Sequence, residues 1–289
     1  MAVRPVYIPK NSAPFYDIVN IEFKWNGGFA VSQKQKNIKA IHDGFKLIYP
    51  EANPLEISSK SLLQTGVELS AFNLMKYVPE LKKSFPIENV YQAGKVFENG
   101  CQYTDLMLVS PKDAKRDERL KNSGKLTMFR FSGQNFPLIP ESLFYNYIYI
   151  NAIIENEKLA KKILDFNGFT DIEFNPQKSI STQAESAAIY VALAELGMTG
   201  KIKDYTDFYS LFIKWQRCFM KVTVYSRTEI EKVMADGNFP QNTAVISFYD
   251  PAIKRIDEGY THVDYSGICD TVFYSELEDL DFEVLKRKG

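Results

Sequence analysis

Apolar residues recur along this chain with two periods, and the periods mark its elements. In Ile87–Phe97, "IENVYQAGKVF", Ile87, Val90, Tyr91 and Gly94 fall at i, i+3, i+4 and i+7, the buried stripe of an α-helix. Glu88, Gln92, Lys95 and Asn99 repeat that spacing one position later. The pattern predicts a helix over 87–97 with a carboxylate, an amide and an ammonium lined up beside the buried stripe. Ile38, Ile41, Phe45 and then Leu47 or Ile48 predict another helix. "FYNYIYINAIIENEKLAKKILDF" (144–166) reads as one long helix that supplies much of the core, and "TQAESAAIYVALAEL" (182–196) as a small-residue helix stopped by Gly197. "SPKD" starts a charged helix, with Ser110 as N-cap, Pro111 at its first position and Asp113 at its third. "VRPVYIP", "VNIEFKW" and "PLEISSKS" read as short strands, and "GVELSAFNLM" as a strand or turn. Further on, "CFMKVTVYSRTEIEKVM" predicts strand, turn and helix, and "NTAVISFYDP" another strand.

These elements predict an α+β protein in three parts: an N-terminal β/α extension (1–54), a mainly helical unit with small β elements (55–197) and a C-terminal βα module (198–289). The chain has 289 residues, 45% of them hydrophobic, enough for a real core. Its net charge of −1 argues against a histone-like electrostatic binder of nucleic acid and leaves open a pocket for one nucleotide. Three cysteines without a CxxC pair and two distant histidines, His42 and His262, predict neither disulfide framework nor metal site. No apolar run is long enough to span a membrane, and the first residues lack a signal-peptide pattern. The reading is a cytoplasmic protein in a reducing compartment. GxGxxG, GxxxxGK[ST], HExxH, GxSxG and Cys-x5-Arg are all missing, which argues against the common nucleotide folds, zinc proteases, serine hydrolases and cysteine phosphatases.

What remains is the helix at 87–97 and its surroundings. "LSAFNL" (69–74), "IENVYQAGKVF", "SPKDAKRDERLKNSG" (110–124), the long helix and "FTDIEF" (169–174) stand in this order, and together they resemble the NADAR family. That family carries, in sequence, an L-S-N-F element, an E-x-x-F-Q-A-x-K helix, a P-x-x-A-K segment, a long helix and an L-V-E-like strand. The longer pattern, with "EISSKS", "YTDL" and "FTDIEFNP", resembles NADAR antitoxins paired with DarT-type DNA ADP-ribosyltransferase toxins. The chain departs from the family pattern at three places: Ala71 stands in the L-S-N-F element with Asn73 beyond the Phe, Tyr91 replaces a Phe, and "FNPQKS" occupies the place of a Trp-Gly pair.

The resemblance implies a NADAR-type core and hydrolysis of an N-glycosidic bond, with ADP-ribose on guanine in DNA as substrate and a DarT-type toxin as partner. A small ribosylated metabolite, or ADP-ribose bound without turnover, are the alternatives. Such a cleavage needs a carboxylate to activate water and a proton for the leaving nitrogen. Glu88 and Lys95 occupy the motif positions for this work. Lys95 can hold a phosphate, polarise the sugar or form a Schiff base with an opened ribose. The family layout adds Ser58, Ser59, Lys60 and Ser70 for diphosphate and ribose, Phe72 for stacking, and Asn73 for an amide edge. Tyr91 and Gln92 join the wall. Asp105, Lys115 and Arg119 are expected at phosphates, and Asp171 or Glu173 as a second carboxylate. Segment 112–125 holds six basic residues against three acidic ones, and a solvated helix face is the default reading of that excess. The chemistry requires no cofactor and no metal.

Overall fold

In the computed structural model the described residues are 1–28, 30–138, 142–174, 182–202 and 204–217, with the strands 222–225, 243–250 and 255–263. The chain divides into two units, Met1–Tyr209 and Ser210–Gly289. It is a mixed α/β protein with several small sheets.

The first unit opens with an antiparallel hairpin, β1 (Ala2–Pro9) and β2 (Tyr16–Phe23), in register from Ala2 opposite Phe23 to Pro9 opposite Tyr16. Helix α1 (Val31–Ile48) follows. Its stripe of Ile38, Ile41 and Phe45 packs with Val6, Ile21, Phe23 and Ile172. The stripe ends at Phe45, because Leu47 and Ile48 are exposed. Strand β3 (Pro54–Glu56) lies parallel to β9 (Gly168–Thr170), which pairs with β1, so the sheet runs β2-β1-β9-β3. The loops after β3 and β9 therefore leave the sheet side by side.

Segment 66–75, read from the sequence as a strand or turn, holds no strand before Met75. It is a short helix, α2 (Gln64–Glu68), and a turn leading to β4 (Met75–Val78), which pairs with β5 (Lys83–Pro86). The turn's own carbonyls capture the next helix. Ala71 C=O accepts from Glu88 N–H at 2.9 Å, and Leu74 C=O from Ile87 N–H at 3.0 Å, which satisfies N–H groups a helix start leaves open.

The helix at that point, α3 (Ile87–Ala93), stops four residues before the periodicity predicts. Gly94 C=O accepts from Arg130 N–H at 2.7 Å. The chain then continues as β6 (Lys95–Phe97). After α4 (Pro111–Arg116) and α5 (Arg119–Asn122), β6 pairs with β7 (Leu126–Phe131), with Lys95 opposite Phe129, and β7 pairs with β8 (Gln134–Phe136). Sheet pairing thus overrides the helical stripe, and Lys95 projects from a strand. The expected N-cap holds: Ser110 Oγ accepts from Asp113 N–H at 3.2 Å.

The long helix expected over 144–166 is broken into α6 (Leu143–Ile154) and α7 (Glu157–Lys162). Two polar side chains break it. Glu155 turns away to bind Lys76 Nζ at 2.5 Å and Tyr77 N–H at 2.9 Å, and Asn156 caps α7 by accepting from Leu159 N–H at 3.2 Å. Helix α6 and the alanine-rich α8 (Gln183–Glu195) are buried almost all round. Phe144 of α6 stacks on Phe129 of β7, with ring centroids 4.5 Å apart.

Helix α9 (Tyr205–Arg217) leads towards the second unit. There, β10 (Val222–Tyr225), β11 (Thr243–Asp250) and β12 (Arg255–Val263) form an antiparallel sheet in the order β10-β12-β11. Two expected strands are present as β10 and β11. The helix expected after Ser226 and the cysteines Cys218 and Cys269 lie outside the described residues.

Candidate active site

A cavity of about 860 Å³ opens in the first unit, within the range of small-molecule sites, about 300–1,000 Å³. Its walls come from segments far apart in sequence. Ser58, Ser59 and Lys60 follow β3, and Ser70, Ala71 and Phe72 form the turn before β4. Helix α3 contributes Glu88, Tyr91 and Gln92, and β6 contributes Lys95. Lys112, Lys115 and Arg116 project from α4. Tyr145 of α6, Asp171, Glu173 and Phe174 after β9, and Gln183 at the start of α8 close the circle.

Glu88 is 5% exposed. Its Oε1 accepts from Gln92 Nε2 at 2.8 Å, one helical turn on, and its Oε2 lies 3.4 Å from Lys115 Nζ. Two donors on opposite oxygens hold the carboxylate in one orientation. The Lys115 ammonium also sits 5.7 Å from the centre of the Phe72 ring, and the half-buried Lys95 ammonium 5.0 Å from that of Tyr91. Burial pushes the Lys95 pKa below its ordinary value, Glu88 opposes the shift and Lys115 adds to it. Tyr145 meets Tyr91 edge-on, with centroids 5.2 Å apart. Burial, and then the charge of Glu88, keeps its phenol protonated well above the usual range.

The part of the lining that follows β9 is acidic. Asp171 Oδ2 accepts from Gln183 Nε2 at 3.0 Å and Thr182 Oγ1 at 3.2 Å, and Oδ1 from Glu173 N–H at 3.0 Å. Burial raises its pKa against the pull of these donors and of Lys115. Glu173 is exposed and lies 3.6 Å from Lys34 of α1. Behind this wall stands Glu56, 1% exposed, which accepts from Thr170 Oγ1 at 2.6 Å and Ile172 N–H at 2.9 Å. Burial and the neighbouring Asp171 push its pKa up to about 7. Ser58 Oγ caps its own loop by accepting from Lys60 N–H at 3.1 Å.

Twelve of the fifteen residues the sequence singles out line this cavity: Ser58, Ser59, Lys60, Ser70, Phe72, Glu88, Tyr91, Gln92, Lys95, Lys115, Asp171 and Glu173. Three lie elsewhere. Asn73 turns back to donate to Val67 C=O and Ser70 Oγ, each at 2.9 Å. Arg119 pairs with Asp105 at 2.6 Å and Asp117 at 2.9 Å, and its guanidinium covers Tyr103 at 4.5 Å. That cluster belongs to the 104–119 surface. Sequence reasoning did not single out Tyr145, Gln183 or Glu56, each of which reads as an ordinary residue of a core helix, a helix start or a strand. Lys112 and Arg116 were visible only as part of a local positive excess. Among the described residues no three His, Cys, Asp or Glu side chains gather to hold a metal ion, and no helix is long and apolar enough to cross a membrane.

Carboxylates, cations and aromatic rings thus line one cavity of the first unit. The chain belongs to the DarT1-associated NADAR antitoxin family, whose pattern matches residues 2–219. The match reaches well beyond the motifs at 55–197 and takes in the N-terminal hairpin and α1. The wider NADAR family is one of N-glycosidase hydrolases. No curated protein matches the chain.

Proposed function

We propose that this protein hydrolyses the N-glycosidic bond joining ADP-ribose to guanine bases in DNA and so reverses a DarT-type toxin. The observation that carries this reading is Glu88, a buried carboxylate oriented by Gln92 and Lys115 on the wall of a nucleotide-sized cavity. Glu88 takes a proton from water, and the water oxygen adds to the anomeric carbon as the C–N bond breaks. The bonding pair goes to the guanine nitrogen, which takes a proton from the Lys95 ammonium. Desolvation lowers the Lys95 pKa and so makes it a better acid. The products are free ADP-ribose and unmodified guanine; Glu88 returns the proton to Lys95 through solvent. Lys60, Lys112, Lys115 and Arg116 line the cavity and suit the diphosphate and the DNA backbone. A base in duplex DNA reaches such a cavity only when flipped out of the stack.

The experiment is release of ADP-ribose from an oligonucleotide ADP-ribosylated on guanine, with a ribosylated pyrimidine as comparator. Wild type releases ADP-ribose, and Glu88→Gln slows release by about 10²–10⁴-fold while binding persists. Turnover of the pyrimidine alone would assign the site to a small metabolite. Tight ADP-ribose binding without release would make the protein a binder, and undiminished release by Glu88→Gln would remove the carboxylate from the mechanism.

A further inference from the structure

Gln183 stands where three cavity walls meet. Its amide nitrogen donates to Ile57 C=O, just past β3, and to Asp171 Oδ2, just past β9, both at 3.0 Å. Its amide oxygen accepts from Ala71 N–H. These partners define the orientation of the amide: a carbonyl and a carboxylate each require N–H, and a peptide N–H requires oxygen. The far side of that connection matters most. Ala71 C=O accepts from Glu88 N–H at 2.9 Å, so Gln183 is linked to the backbone of Glu88 through one residue. Ile57 leads directly into Ser58, Ser59 and Lys60. One side chain therefore ties the serine loop, the Ala71 turn and the acidic wall together beside the carboxylate that activates water.

We propose that Gln183 is a positioning residue for the glycosidic cleavage: through Ala71 it sets the position of Glu88, and through Ile57 and Asp171 the distance between the facing walls. The proposal rests on the assignment of Glu88 above. A displacement of about 1 Å in a reacting group costs on the order of 10²-fold in rate, so loss of this link appears in turnover more than in affinity.

The test uses the full chain and the guanine-modified oligonucleotide. Gln183→Met keeps the volume and removes all three hydrogen bonds. The expected result is a kcat lower by about 10–100-fold, a KM within about threefold of wild type, and no further loss when the change is added to Glu88→Gln. Gln183→Glu gives a second, independent reading. Its carboxylate accepts from Ala71 N–H but faces Asp171 and Ile57 C=O without a donor, and protonation restores one. The ratio of its kcat to that of wild type therefore rises as pH falls from about 8 to about 5.5, and this series carries the test alone should Gln183→Met not fold. Wild-type kcat in Gln183→Met, a change confined to KM, or a flat Gln183→Glu ratio overturns the proposal while Glu88 keeps its role. Full activity in Glu88→Gln overturns the assignment of Glu88 and the proposal with it.

Discussion

Glu88 and Glu56 are both buried carboxylates, and their surroundings give them different tasks. Glu88 lines the cavity with an amide and an ammonium on its oxygens. Glu56 lies behind the wall, where it holds Thr170 Oγ1 and the Ile172 N–H. Burial favours the protonated form of Glu56. Its folded pKa of about 7 exceeds the ordinary 4.5, so the fold binds this proton more tightly than the unfolded chain does. That contribution to stability is complete below about pH 4.5 and is lost as pH rises through about 7. Glu56→Gln has no proton to lose. Between about pH 5 and pH 8 its Tm should therefore fall by less than that of wild type, as read by thermal melting at the two pH values. An equal fall in both proteins would place the pH dependence elsewhere. Glu88 was legible because it occupies a motif position beside an apolar stripe. Glu56 was not, because "PLEISSKS" carries no mark that its carboxylate is buried between two parallel strands.

The end of α3 shows how elements compete. The stripe of Ile87, Val90, Tyr91 and Gly94 continues in helical phase, yet the helix stops at Ala93. Hydrogen bonding of Gly94 C=O to Arg130, and of β6 to β7, decides against the last helical turn. Lys95 still reaches the cavity, by strand geometry and not by i+7 helical geometry. Gly94 leaves room for the aromatic layer above it: a Cβ there would come within 3.2 Å of Phe144. Phe144 also contacts Phe129, Phe131 and Phe136, so it joins α6 to the sheet that carries Lys95. Phe144→Ala should cost about 3–5 kcal/mol in denaturant unfolding. A loss under about 1 kcal/mol would show that this layer contributes little to holding β6 in place.

At the scale of the whole cavity, charges of both signs gather. Glu88, Asp171 and Glu173 line it together with Lys60, Lys95, Lys112, Lys115 and Arg116. A nearly neutral chain thus gathers five cations and three carboxylates around one cavity, a local excess that net charge alone conceals. Lys112 and Arg116 are exposed and suit phosphates outside the reacting nucleotide. Replacing both with alanine should weaken binding of the modified oligonucleotide and lower the slope of log K against log salt by about one to two. Affinity for free ADP-ribose should change by much less. An unchanged salt slope in a fluorescence-anisotropy titration would remove these two side chains from the DNA path.

The sequence by itself determined the family, the buried stripe of α1, the helical character of α6 and α8, the cap at Ser110 and most of the residues around the cavity. All of these follow from local periodicity, capping chemistry or an ordered set of motifs, which survive in one dimension. Only the tertiary structure decided where α3 gives way to β6, that the long helix breaks at Glu155 and Asn156, and that Arg119 spends its charge on Asp105 and Asp117. It alone brought Tyr145 and Gln183 into the cavity that Glu88 lines. Each of those outcomes depends on partners between two and more than a hundred residues away, and a hydrogen bond or ion pair across that separation has no period for a sequence to display.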